Sequence, residues 1–266
     1  MNRVTTWVTS RILSQSLNTE SNDRLTRHGS SYGGWTLCHC VNHFANEGTF
    51  ISAGVGEDIS FDVEILKISN MLAILVDPTD RAEIHVNGYL KSVDQIFTNV
   101  YLEGGVQPTQ NYFSSKNVRA RMQFMKKALW INNNGLELYP PIDASHVSYM
   151  LRRKMEGKVT SIKFPSIDLS TIIKNIETNN LNPNQICINF LKMDIEGSEY
   201  FVIRDLPYAT FRPKQILIEL DFLREKNAYL QCFRLYKLIN RMQNLNYRLA
   251  HTEKLNCLFL DTREHN

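Results

Sequence analysis

Thr49-Phe50-Ile51-Ser52-Ala53-Gly54-Val55-Gly56-Glu57-Asp58, followed by Met71-Leu72-Ala73-Ile74-Leu75-Val76-Asp77-Pro78, is the stretch on which the reading of this chain turns. A short apolar run bounded by turn residues is a buried strand. Thr49–Ala53, ending in Gly54, is one such run, and Met71–Val76, stopped by Asp77-Pro78, is another. Between them Asp58 offers an N-cap, and Ile59, Phe61, Val63, Ile65, Leu66 and Ile68 supply an apolar helical stretch. Strand, helix, strand in that order predicts a parallel pair with a right-handed crossover. Glycine at 54 and 56 lets the backbone take positive φ and approach a ligand, so the turn makes a floor for a nucleotide-like group. A dinucleotide fingerprint wants a third glycine where this chain has Ile59. Glu57 and Asp58 would also repel a pyrophosphate at the helix start. Asp77, at the end of the next strand, suits an acid that accepts from ribose hydroxyls.

Outward from this unit the alternation continues. A short helix starts near Thr79, capped by Thr79 or Asp80, and residues 87–118 form a long irregular connection. Met122–Ile131 and Leu136–Tyr139 read as a hairpin joined by Asn132-Asn133-Asn134-Gly135. Val159–Phe164 is a strand, and Ser166 or Asp168 caps a helix through Thr178. Ile186–Met193 and Gln215–Leu220 are buried strands, with a helix over Ser198–Leu206 between them. A long amphipathic helix carries Leu230, Phe233, Tyr236, Ile239 and Met242, and Tyr247–His251 with Leu255–Leu260 closes the chain as an antiparallel pair. The pattern predicts an α/β domain over 32–266, a mostly parallel sheet covered on both faces. Residues 1–31, polar and without a sustained period, read as a leader or partly ordered arm. In such sheets ligands bind outside the carboxyl ends of the strands, where the strand order reverses.

Composition sets the outer bounds. With 43% hydrophobic and 21% charged residues in 266, the chain can bury a sizeable core, which excludes disordered, collagen-like and coiled-coil classes. A net charge of +3 makes no case for a nucleic-acid partner. No apolar run approaches the ~18 residues of a membrane span. Five scattered cysteines suit free thiols in a reducing compartment better than a disulfide framework. The expected location is cytoplasmic, although Arg3, Arg11 and the lack of any acid before Glu20 hint at an organellar presequence.

The remaining chemistry sits at later strand ends. Asp194 and Glu196 leave on one face if their strand runs that far, and Lys192 shares it. A carboxylate there could serve as a general base, an effect of ~10²–10⁴-fold. Glu219 and Asp221 repeat the spacing. So many carboxylates need a divalent cation, Lys192 or a cationic substrate as countercharge; no metal ligand is assigned. Tyr32-Gly33-Gly34-Trp35 could close over a sulfonium with an aromatic face. His146 and Ser148 lie in an irregular stretch where a neutral imidazole could act as base. Cys38-His39-Cys40 with His43 fits no familiar tetrahedral zinc framework. Arg119, Arg121, Lys126 and Lys127, with Arg152-Arg153-Lys154, read as a solvated basic face.

A ribose-bearing, cationic, phosphate-free ligand points to S-adenosylmethionine. The blocks Tyr32–Trp35, Gly54–Asp62, Asp77-Pro78-Thr79, His146-Val147-Ser148 and Leu191–Glu199 resemble the FkbM-type methyltransferases, in matching order, from about residue 30 to 222. The resemblance implies a class I, Rossmann-like, three-layer methyltransferase with a seven-stranded sheet and an antiparallel C-terminal hairpin. It implies S-adenosylmethionine as cofactor and O-methylation of a hydroxyl on a small molecule, glycan or lipid-like acceptor. On that basis Gly54, Gly56 and Asp58 lie along the cofactor with Asp77 on its ribose; the residue chemistry adds Gly33, Trp35 and Pro78 to the cofactor side and puts Asp194, Glu196, Lys192 and His146 on the catalytic side. Val76, Asp80 and the Glu219-Leu220-Asp221 strand end depart from the residues common in that family. Two other functions share these features: a ribose 2′-O-methyltransferase acting on RNA, and a non-catalytic cofactor-binding scaffold. A nicotinamide oxidoreductase would need the missing third glycine.

Overall fold

A computed structural model describes residues 3–40, 43–94, 100–141, 149–151, 160–178, 187–208, 210–224 and 227–263. The elements begin with α1 (Arg3–Ser16), β1 (Leu25–His28), β2 (Trp35–Cys38), β3 (Thr49–Ala53), α2 (Ser60–Ile68), β4 (Leu72–Val76) and α3 (Asp80–Leu90). The middle holds α4 (Lys116–Ala120), β5 (Met122–Met125), β6 (Ala128–Leu129), β7 (Leu136–Leu138), β8 (Ile162–Phe164), β9 (Ser166–Ile167) and α5 (Leu169–Thr178). The chain continues through β10 (Ile188–Met193), α6 (Glu199–Arg204), β11 (Gln215–Glu219), α7 (Ala228–Asn244), β12 (Tyr247–Glu253) and β13 (Asn256–Asp261).

Seven strands form the main sheet in the order β12-β13-β11-β10-β3-β4-β5. The five from β11 to β5 run parallel; β13 adds antiparallel to β11, and β12 antiparallel to β13. Side chains alternate between the two faces, and each face builds its own apolar layer. One layer joins Ile51, Ile74, Leu191 and Ile216 to α5, α6 and α7. The other joins Phe50, Leu75, Phe190 and Leu217 to β2, α2, α3 and α4. Stacking of Phe50 on Phe190, ring centroids 4.6 Å apart, knits the two central strands on that face.

Helix starts follow local chemistry. Thr79 Oγ1 accepts from the Ala82 amide at 3.2 Å, Asp168 Oδ1 from Thr171 at 2.7 Å, and Asn227 Oδ1 from Leu230 at 3.1 Å. At the start of α2 the expectation shifts by one residue: Ile59 occupies the cap position, and Asp58 reaches the Ser60 amide at 3.0 Å.

Several expectations are corrected. The Asn132–Gly135 turn does not join a hairpin: β5 lies beside β4 in the main sheet, β6 pairs with β9, and β7 pairs with β8. Within residues 1–31, read as a leader or partly ordered arm, α1 lies against α7, Leu13 is buried in the core, and β1 pairs with β2. Gln231, Leu235, Leu238, Ile239 and Met242 make the buried stripe of α7, whereas Leu230, Phe233 and Tyr236 face outward. Cys38 and Cys40 are joined by a disulfide rather than free; His43 lies beside them, bonded through Nε2 to the Asp261 carbonyl. Of the basic residues near β5, Lys126 and Lys127 are exposed as expected, whereas Arg119 and Arg121 are engaged. Arg121 donates to the carbonyls of Leu66, Ser69 and Met71 at 2.7–3.0 Å, Arg119 meets Ser114 and Asp94, and Lys126 pairs with Asp80 and Glu83. Arg152, Arg153 and Lys154 lie outside the described residues. No helix among those described is long and apolar enough to cross a membrane.

Candidate active site

From β3 the chain order runs outward through β4 and β5 on one side, and through β10 and β11 on the other. The order therefore reverses between β3 and β10, the place where open α/β sheets bind ligands. β3 ends at the glycine bend. Gly54 has φ 74° and donates to the Val76 carbonyl at 2.9 Å. A Cβ at this position would overlap the carbonyl oxygen of Asp194 at the end of β10. Gly54 is thus required by both conformation and space. Gly56, φ 52°, has open space where a Cβ would be and donates to Asp77 Oδ2 at 3.0 Å. Asp77 also accepts from the Thr79 amide and hydroxyl, at 2.9 and 2.7 Å. Its carboxylate therefore ties the end of β4 to the bend. Burial raises its pKa, opposed by those bonds and by Lys192.

The amides around the start of α2 are committed internally. Asp58 donates to the Val55 carbonyl, Ile59 to the Tyr112 hydroxyl at 3.1 Å, and Ser60 to Asp58. Asp58 Oδ2 accepts from Ser30 at 2.5 Å, and a Cβ on Gly33 would come within 2.6 Å of the same carboxyl group. The turn carrying Gly33 is thereby seated on Asp58. Glu57 is paired with Arg81 at 2.5 Å.

Gly33, Trp35, Gly54, Gly56, Asp58, Asp77, Pro78, Lys192, Asp194 and Glu196 all line one cavity of about 590 Å³. Val55, Leu129, Leu136 and Leu138 supply apolar wall. That volume is in the range of a cofactor site. His146 and Ser148 lie outside the described residues. Lys192 is buried, with Nζ 3.5 Å from the Gly54 carbonyl and 5.3 Å from the centroid of the Trp35 ring.

Strand β10 stops at Met193, so strand alternation does not set the direction of the next acids. Glu196 sits at φ 55° in a turn, yet both it and Asp194 line the cavity. Glu199 accepts from the Ile195 and Gly197 amides at 3.0 and 2.9 Å, closing the turn ahead of α6. Carboxylate oxygens of Asp194, Glu219 and Asp221 lie within 4.8 Å of one another. Their countercharge is Arg224, which the sequence reading passed over: it pairs with Glu219 at 2.6 Å and with Asp221. Its position five residues after Glu219, beyond the strand, gave no periodic signal. Burial, and then the charge of Asp194, pushes the Glu219 pKa up, and burial raises that of Asp194 against the pull of Lys192. Tyr32 stands over Gly105, and burial, then Asp194, Glu196 and Glu219, push its hydroxyl pKa up.

Sheet order, glycine bend and strand-end acids define an α/β protein with its ligand cavity at the switch point. The family model described as Methyltransferase FkbM domain matches residues 45–249, and the chain belongs to that methyltransferase family. No curated protein and no solved structure matches the chain.

Proposed function

We propose that the protein is an S-adenosylmethionine-dependent O-methyltransferase of the class I, three-layer type. Its acceptor is read as a hydroxyl on a small molecule, glycan or lipid-like compound. The observation that carries the cofactor reading is the state of the bend. The glycines bring backbone to the cavity, Asp77 holds the bend and offers carboxylate lone pairs to ribose hydroxyls, and the Gly56, Asp58, Ile59 and Ser60 amides are already bonded within the protein. A nucleoside without phosphate fits those residues, and a dinucleotide does not. The strand order supports the class I reading, since the chain reverses direction of growth at β3/β10 and ends in the antiparallel β12–β13 pair.

When bound, the cofactor supplies a methyl group on a sulfonium centre. The residues of this chain then supply position and a proton acceptor. Gly33 and Trp35 close the cavity from the β2 side. Asp194 accepts the acceptor's hydroxyl proton, and Glu196 orients the acceptor. Near-attack positioning contributes up to ~7–11 kcal/mol of the barrier and a positioned base ~10²–10⁴-fold. The cavity's acids oppose the RNA reading, because a phosphate backbone would approach Glu196, Glu219 and Asp194. Titration calorimetry with S-adenosylhomocysteine tests the cofactor reading: micromolar binding supports it, and no heat at high micromolar ligand ends it. Flat salt dependence of any RNA association would remove the RNA alternative.

A further inference from the structure

Across the middle of the sheet one row of side chains reads Leu75, Ser52, Lys192, Leu217, Leu258 on β4, β3, β10, β11 and β13. Alternation puts this row on the face of Phe50 and Phe190, the face covered by α2. An ammonium group buried in an apolar layer is costly unless it is compensated. The covering helix brings a carboxylate into the same layer: Asp62, in the first turn of α2, is 1% exposed. The Lys192 charge acts on it across the layer without a direct ion pair, Asp62 Oδ1 has no hydrogen-bond partner among the described residues, and Ser52 lies on the neighbouring strand β3. On its other side Lys192 faces the Gly54 carbonyl and the ring of Trp35, two parts of the cavity wall.

We infer that Asp62 is a positioning residue: its buried charge balances the Lys192 ammonium within this layer, and Lys192 in turn fixes the Gly54 bend and Trp35 for the cofactor. Lys192 thereby acts through the wall it helps to line rather than as an acid or base on the acceptor. Lys192 also favours the ionised forms of Asp77 and Asp194, so one buried cation serves the cofactor end and the acceptor end together. Burial, opposed chiefly by Lys192, pushes the Asp62 pKa up to about 6. The titratable groups facing Asp62 are Lys192 from β10, Asp58 from the turn before α2, and Tyr112 from the segment before α4. Below that pH Asp62 is protonated and its compensation of the Lys192 charge is lost.

This inference rests on the cofactor reading, so its test starts with S-adenosylhomocysteine binding to the wild-type chain by calorimetry from pH 5 to 8. The wild type is expected to bind more weakly as pH falls, with a component centred near 6. Asp62→Asn and Lys192→Met should each weaken binding at least tenfold at pH 7.5, and Asp62→Asn should lose the component near 6. Circular dichroism melts of both variants establish that they are folded at the assay temperature. Wild-type binding with an unchanged affinity and pH profile in folded Asp62→Asn would overturn the role of Asp62 and leave the cofactor reading standing. No binding by the wild type would overturn both.

Discussion

Gly54 is the residue whose side chain, or lack of one, has the largest consequence. Gly54→Ala places a methyl group on the Asp194 carbonyl in a backbone region that disfavours L-residues. It is expected to abolish S-adenosylhomocysteine binding and to lower the melting temperature; an alanine variant that binds normally would show that the bend does not carry the site. Asp194→Asn removes the proposed proton acceptor while leaving the shape nearly intact. It should lower kcat by roughly 10²–10⁴-fold with little change in cofactor affinity, and unchanged turnover in an active preparation would transfer the role elsewhere. At this scale the glycines, Asp77 and Asp194 were legible because each ends a buried strand, and a strand end is visible in sequence. Arg224 and Glu199 were not. Their partners, Glu219 with Asp221 and the Ile195 and Gly197 amides, are set by turns whose shape has no period to read.

Among the elements, β3, α2, β4, β10, β11 and the closing β12–β13 pair were all readable from apolar runs between turn residues. The failed hairpin is instructive. Asn132–Gly135 makes a turn, but the strands flanking it are only two and three residues long, and tertiary pairing with β9 and β8 decides their partners. Likewise Leu230, Phe233 and Tyr236 keep helical spacing while a second, buried stripe on α7 meets the core. The α2–β4 connection offers a further test. Arg121 satisfies three carbonyls there, and Arg121→Ala leaves them without that donor. Thermal denaturation should register a loss of about 1–3 kcal/mol; an unchanged melting temperature would mean that water replaces the guanidinium at no cost.

Over the whole molecule, buried acids make the stability of this protein depend on pH in a defined direction. Asp62, Asp194 and Glu219 all have folded-state pKa values raised above the ordinary carboxylate range, with Asp62 at about 6. The native state therefore holds more protons than the unfolded chain between those ordinary values and the raised ones. Their contribution to stability is complete below the unfolded values and is lost as pH rises through the folded ones. Melting temperature is thus expected to fall from pH 5 to 8, less steeply in Asp62→Asn. A rise over that interval would contradict the assignment of these groups as costly buried acids. The ionised forms that destabilise the fold are the ones the proposed site uses, so the chain trades stability for a charged cavity.

The central claim is that the bend at Gly54–Gly56, held by Asp77, seats a phosphate-free nucleoside. Calorimetric titration of the same preparation with S-adenosylhomocysteine and with NADH tests it most directly. The account predicts micromolar binding of the first and none of the second. Binding of NADH, or of neither ligand, would contradict it.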